Sequence, residues 1–262
     1  MFKILPQENR FKSYFLVGIL IVLVTTIILS FPQKEPPVYP RRTITIPEGY
    51  NIYQIEKLLF ENKIIAEEGS LISIDPNKFG DYWFLKEKET LEGFLFPDTY
   101  EFFEQSSPEI VARKMLENWQ EKASLFFISK ETAYDQIIVA SLVEKEIGEN
   151  QEERAVAAGI IFKRLRNDMP LQIDATLCYI KDKLRCGQVV PSDKEADSPY
   201  NTYKNKGLPP TPIANPGLSA IKAAASPKNS EYWYFISDSK TGKTVFAKTL
   251  DEHTKNIVKY LR

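Results

Sequence analysis

The sequence predicts an α+β fold: a mainly helical body with short β-strands, behind a single N-terminal transmembrane helix. Three observations predict it. Residues 14–31, "YFLVGILIVLVTTIILSF", are 18 positions without a charge. Thr43, Ile44, Thr45 and Ile46 alternate in polarity ahead of a Pro-Glu-Gly turn. Several later segments then place apolar residues at helical spacing, interrupted by one long stretch rich in Pro, Asn and Gly.

As a helix, 18 residues rise roughly 27 Å, close to the hydrocarbon thickness of a bilayer. A cleaved signal peptide is the rival reading. Its apolar region is shorter, roughly 7–15 residues, and ends in a small-x-small site, whereas here Ser30, Phe31 and Pro32 follow. Lys3, Arg10 and Lys12 outnumber Glu8 in residues 1–13, which places that end in the cytoplasm and the body outside, although Lys34, Arg41 and Arg42 lie beyond the span. Residues 32–40 carry four prolines and read as a stiff tether.

A formal net charge of −1 gives no field that would draw nucleic acid. Two Cys and one His do not make the usual four-ligand zinc site, so no metal or cofactor is implied. Cys178 and Cys186 could close a small disulfide loop outside the cytoplasm or remain two reduced thiols. His253, the only histidine, would have to serve any Ser-His-Asp or Cys-His mechanism. Its setting, "LDEHTKN" on the last helix, suits packing better.

After β-like residues 43–46 and the turn, Ile52, Ile55, Leu58 and Leu59 mark a short amphipathic helix. This strand-turn-helix resembles the start of a LysM module, a β-α-α-β fold that binds cell-wall glycans, and residues 41–90 are assigned to such a subdomain. "LEGFLFPDTYEFF" alternates aromatic and polar positions about Pro97 and Asp98, as two short strands would. Residues 108–119 and 129–148 read as helices. Asn150 with Glu153 three residues on is a possible capping box for a third, ending before Pro170. Residues 169–216 form a long loop region of the kind that often lines a site. A small helix at 219–225, a strand at "YWYFIS" and a helix over 249–261 complete residues 91–262.

Three glutamates stand out in "IVASLVEKEIGEN". On a helical wheel Glu144 lies among Ala140, Ile147, Ile137 and Ser141, while Glu146 points nearly opposite, beside Leu142 and Val139. Glu149 follows Gly148, where the helix can already have ended. A carboxyl among apolar neighbours is costly to ionise, and one still protonated near neutrality can give its proton to a glycosidic oxygen. By composition alone, a buried ion pair or a backbone cap is the favoured explanation of Glu144, and Glu146 competes with it on the same grounds.

"ASLVEKE", "RAVAAGIIFKRL", "MPLQIDATL" and "SPYNTYKNKGLPPTPIANPGLSAIKAAASP", together with "LEGFLFPDTY" and "YWYF", resemble the catalytic region of the YceG-like (MltG) endolytic murein transglycosylases. The motifs stand in family order. The resemblance implies a protein held by a single span in the bacterial cytoplasmic (inner) membrane. It carries a LysM-like part, cleaves the β-1,4 bond from N-acetylmuramic acid (MurNAc) to N-acetylglucosamine (GlcNAc) in peptidoglycan, and neighbours the peptidoglycan synthases. The family's catalytic glutamate, the first of "EKE", maps onto Glu144. Residues 65–91 are short for the family, and Ile173 stands where many members have a small polar residue.

By the same resemblance Gln172, Asp174, Tyr200, Asn201 and Thr202 line the substrate groove. Read as residues alone, they are equally well turn-fixing groups. Such a lyase needs one carboxyl, which protonates the leaving oxygen and then takes the proton of the muramic acid C6 hydroxyl, leaving a 1,6-anhydro end. A hydrolytic muramidase needs two, and Asp174 could be the second. A non-catalytic wall-binding scaffold, with Glu144 structural, is the third possibility. Glu92 before Gly93, and Asp98 after Pro97, are weaker candidates for touching substrate.

Overall fold

A computed structural model describes residues 17–21, 23, 39–127, 129–181, 183–184, 189–238 and 240–260. The chain divides into two units, Met1–Tyr39 and Pro40–Arg262. In the first, the described residues 17–21 and 23 are helical, and Val17, Leu20 and Leu23 are exposed. Most of the expected span at 14–31 and of the tether at 32–40 lies outside the described residues. Among those described, no helix is long and apolar enough to cross a membrane.

The second unit opens with β1 (Arg41–Thr45), antiparallel to β2 (Thr99–Phe103), with Ile44 opposite Tyr100. The alternation read from sequence is realised: Ile44, Ile46, Tyr100 and Phe102 are buried. A Pro-Glu-Gly turn then leads into α1 (Ile52–Glu61). Asn51 starts it with a reciprocal cap, accepting from the Gln54 N–H at 2.9 Å while Gln54 Oε1 accepts from the Asn51 N–H at 3.0 Å. Ile52, Ile55 and Leu59 are its buried stripe. Between α1 and β2 come two 3-10 turns, Pro76–Phe79 and Trp83–Leu85.

The first of the two strands expected in "LEGFLFPDTYEFF" is absent. Residues 91–96 form a turn, Phe94 N–H donating to Leu91 O at 3.1 Å, and all six are buried. Gly93 makes this possible, because its φ of +90° and its contact with Pro212 leave no room for a Cβ. Alternating aromatics looked like one face of a strand, but here both faces meet the core.

Helices α2 (Pro108–Lys122), α3 (Lys130–Glu146) and α4 (Gln151–Arg166) follow. The near-continuous apolar surface read for α3 is borne out: residues 137–143 are all buried. Asn150 caps α4 by accepting from Glu152 N–H and Glu153 N–H. The other half of the expected box does not form, because the Glu153 carboxylate accepts from Thr244 N–H at 3.0 Å instead. Within the long loop region stands an unforeseen helix, α5 (Asp174–Lys181). Then come α6 (Leu218–Ala225), the hairpin β3 (Tyr234–Ser237) and β4 (Thr244–Ala247), and α7 (Leu250–Tyr260).

Helix α6 packs on both α3 and α4. Gly159 on α4 allows close approach: a Cβ there would sit 1.9 Å from the Lys228 carbonyl oxygen. Cys178 is disulfide-bonded. Cys186, the only other cysteine in the sequence, lies outside the described residues.

Candidate active site

Helix α3 carries its two glutamates to opposite environments, as the wheel predicts. Glu144 turns towards the start of α4. Arg154 Nη1 and Nη2 donate to its two carboxylate oxygens at 3.2 and 3.0 Å, and Gly217 N–H donates to Oε2 at 3.0 Å. Both side chains of the pair are buried, 4% exposed for Arg154 and 6% for Glu144. The expected setting of Ala140, Ser141, Ile137 and Ile147 is present, and all four are buried. What the wheel did not show is the guanidinium opposite. Glu144 sits in a compensated, hydrogen-bonded niche rather than a purely apolar one.

Arg154 reaches Glu144 because the chain reverses just before it. Its Nε donates to Gly148 O at 2.7 Å and Nη2 to Ile147 O at 3.3 Å, so one side chain also closes the end of α3. A cation at a helix C-terminus is favoured by the helix dipole. "EERAVAAG" reads as the ordinary first two turns of a helix, which is why sequence reasoning passed over Arg154.

The turn before α1 forms the other wall. Gly49, at φ +75°, brings its backbone against the Glu144 side chain, where a Cβ would lie 3.4 Å from Cγ. Lys145 Nζ donates to Gly49 O at 3.2 Å. The Asn215 strand-like stretch is bonded to this turn in both directions, Gly49 N–H to Asn215 O at 3.0 Å and Asn215 N–H to Tyr50 O at 2.8 Å. Glu48, which sequence reading treated only as a turn residue, is exposed beside Gly217. The residue is exposed overall, but partial desolvation of its carboxyl against the Gly217 backbone raises it above the ordinary range. The Glu144 charge adds to this, and Arg154 opposes it.

Glu92 lies behind this wall, completely buried. Ile52 N–H donates to both of its oxygens at 3.0 Å, Asn215 Nδ2 to Oε1 at 2.7 Å and Tyr179 OH to Oε2 at 3.2 Å. Burial lifts its carboxyl to about 8. It is a buried tie between segments and is not placed to touch a substrate. Asp98 is likewise structural: it accepts from Asn118 Nδ2 at 2.8 Å and pairs with Lys122, which holds its carboxyl below the usual range.

Glu146 faces the other way. It accepts from Ala175 N–H, in the first turn of α5, at 3.2 Å and borders a cavity of roughly 300 Å³ with Arg164, Gln172, Lys194, Tyr203 and His253. Burial raises its carboxyl to about 7, and the neighbouring Asp174 charge adds to the shift.

None of the five residues expected in a groove is hydrogen-bonded to Glu144, whose partners are Arg154 and Gly217. Gln172 and Asp174 are exposed on the Glu146 side, Asp174 accepting from Tyr203 OH at 2.6 Å. Tyr200 is half-buried, packed 5.1 Å from the Tyr179 ring and bonded to Thr211. Asn201 and Thr202 are buried. Asn201 is fully buried and donates to Lys194 O and Ala196 O. Thr202 is 2% exposed and accepts from Ile173 N–H. Their polar atoms fasten the loop from inside. His253 stacks on Tyr234, with ring centres 5.0 Å apart.

Residues 24–259 match the YceG-like family. The chain belongs to that family. It is 34% identical over 236 residues to the endolytic murein transglycosylase of Bacillus subtilis, covering 83% of this chain and 65% of the relative. With the one from Streptococcus pneumoniae R6 it shares 33% over 255 residues, covering 87% of this chain and 46% of the relative. The chain thus spans about half to two thirds of the length of these relatives. A crystal structure of a YceG-like protein from Listeria monocytogenes superposes with a TM-score of 0.70 at 33% identity, covering 88% of this chain and 80% of that one. The matched range 24–259 spans α3, α4, α6 and the turn that carries Glu48.

Proposed function

We propose that this chain is an endolytic peptidoglycan lytic transglycosylase, anchored by one span in the bacterial cytoplasmic membrane with its body outside. It cleaves the MurNAc–GlcNAc β-1,4 bond of nascent strands, close to the synthases that make them. The observation that supports this most directly is Glu144, fixed at both oxygens by Arg154 and Gly217 N–H between the turn before α1 and the loop before α6. A carboxyl held in one orientation is what proton transfer to a positioned oxygen requires. Glu144 gives its proton to the leaving oxygen, the C6 hydroxyl of the same sugar closes on C1, and a 1,6-anhydro end results. Because the attacking hydroxyl belongs to the substrate, the reaction draws only on acid-base groups of the chain. Of the expected groove residues, Gln172 and Asp174 are exposed and Tyr200 is half-buried, and these are offered as sugar contacts, Tyr200 by stacking on a ring.

A second reading rests on Glu146, whose raised carboxyl borders a cavity beside Asp174. Perturbed carboxyls in cavities are candidate acids. Purified glycan strands treated with wild type, Glu144→Gln and Glu146→Gln, with fragments read by mass spectrometry, separate the two. The proposal expects Glu144→Gln to abolish anhydro-ended fragments and Glu146→Gln to retain them. Loss only in Glu146→Gln transfers the acid role, reducing ends indicate a muramidase, and no cleavage by wild type leaves a binding protein.

A further inference from the structure

The 3-10 turn Trp83–Leu85, the turn at 91–96, helix α2 and the first turns of α3 enclose a second cavity, of roughly 230 Å³. Its walls are rings: Trp83, Phe84, Phe94, Trp119 and Tyr134. They brace one another. The centres of Phe84 and Phe94 lie 4.2 and 5.2 Å from that of Trp119, and Phe94 stacks on Tyr134 at 6.2 Å, so the walls are in place before anything enters. Trp119 is 1% exposed, and its indole N–H has no acceptor among the described residues.

The mouth is cationic. Lys88 Nζ lies 3.9 Å from the centre of the Tyr134 ring and Lys130 Nζ 5.4 Å from that of Trp83. Each ammonium rests on a ring face, and among the described residues neither forms an ion pair. A ring face attracts the charge and leaves N–H donors free for an incoming acceptor. Lys86 adds a third positive charge beside Glu87, at 4.0 Å, and Glu131, which accepts from Ser129 Oγ, opposes them.

We propose that this cavity binds the peptide stem of the glycan strand by its carboxylate end: Lys88 and Lys130 take the carboxylate, and the aromatic walls take the alanyl methyls behind it. The inference rests on the lytic transglycosylase reading above and names the part of the substrate that this second site holds.

Size, chemistry and position agree. An apolar cavity of about 150 Å³ holds one benzene ring, so this one takes a body of roughly nine heavy atoms by the same measure. Two alanyl residues with their carboxylate left at the mouth match that, whereas a disaccharide is too large. A pocket of apolar walls with a few placed polar groups is the usual form of a small-ligand site. A peptide carbonyl passing Trp119 supplies the acceptor that its indole lacks. Ala133 and Ile137 line the cavity and stand about three and two turns before Glu144 on the same face of α3, roughly 10–17 Å along the helix. A five-residue stem reaches about 17 Å when extended, so a muramic acid held at Glu144 can place the end of its own stem here.

The test uses the full chain in detergent. Two of its three tryptophans line the cavity, so indole fluorescence reports occupancy directly. The probes are a synthetic stem pentapeptide ending in D-alanyl-D-alanine and the same peptide with its C-terminus amidated. The free acid is expected to saturate the signal and the amide to bind about tenfold more weakly, the scale of a lost charged hydrogen bond. The double variant Lys88→Gln/Lys130→Gln, altered only at the surface, is expected to bind both peptides at the amide's level. On strands, wild type should show a KM about tenfold lower with stems present than after an amidase has removed them, at similar kcat, and the double variant should lose that ratio. No saturable signal, equal binding of acid and amide, or a double variant that still prefers the acid overturns the proposal. Wild type that releases no anhydro-ended fragments yet binds the acid overturns the lyase reading and upholds the cavity. Cleavage without peptide binding overturns the cavity alone.

Discussion

Asn215 Nδ2 donates to Glu92 Oε1 at 2.7 Å inside the core, and that single bond joins the loop before α6 to the segment before β2. The same Asn215 side chain accepts from Gly93 N–H and Leu95 N–H, each at 2.9 Å, and donates to Tyr50 O at 3.0 Å. Glu92 in turn receives the first N–H of α1. Three segments far apart in sequence are thus locked together immediately behind Glu48, Gly49 and Gly217. The site's precision depends on this tie.

Glu92 makes stability fall with rising pH. Its carboxyl, ordinarily near 4.5, is lifted to about 8 by burial, so the unfolded chain loses this proton first. Its contribution is complete below about 4.5 and is lost as pH rises through about 8; Glu146, at about 7, adds in the same sense over a narrower window. Thermal melts of Glu92→Gln are expected to show a flatter decline between pH 5 and 8 than wild type. An unchanged slope would contradict the assignment.

Arg154→Met leaves Glu144 buried without its partner and the end of α3 unbonded. Breaking one side of a buried ion pair costs about 3–5 kcal/mol, and urea unfolding should report a loss of that order. Arg154→Lys, which keeps the charge but not the two-pronged contact, should lose less stability but still slow fragment release.

Gly217→Ala and Gly159→Ala separate site from scaffold. At both positions the added Cβ falls 1.9 Å from a neighbour. At 217 that neighbour is the movable end of Glu48, and the backbone, φ −74° and ψ 170°, suits alanine. Gly217→Ala should therefore stay within about 1 kcal/mol of wild type while fragment release drops at least tenfold.

At 159 the obstacle is the Lys228 carbonyl, held by its own N–H bond to Ala155 O at 2.9 Å. Gly159→Ala forces α4 away from that chain. A loss of at least about 2–3 kcal/mol is expected in urea unfolding.

Much of the scaffold was legible in the sequence because its signals are local. The Thr43–Ile46 alternation, the stripe on α1 and the apolar circumference of α3 each follow from one segment's own burial. The opposite orientations of Glu144 and Glu146 follow from helical geometry alone. What was missed depends on contacts between segments. Arg154 matters only because the chain reverses at Ile147 and Gly148, and Glu48 only because Gly217 arrives from 169 residues away to meet it. Helix α5 was hidden by the Pro- and Asn-rich context around "DATLCYIK". Asn201 and Thr202 were assigned to the groove by the family resemblance, and their side chains satisfy buried backbone groups, the loop-fixing role their residue types also suggested. One signal was available for Glu48: a carboxyl followed by a glycine in a turn, where the Gly49 backbone must come close to something.

The most direct test of the central claim is mass spectrometry of purified glycan strands incubated with the full chain, wild type beside Glu144→Gln. The account predicts anhydro-ended fragments, one water lighter than hydrolysis products, from wild type and none from a folded Glu144→Gln. Anhydro-ended fragments in undiminished amount from Glu144→Gln would contradict it.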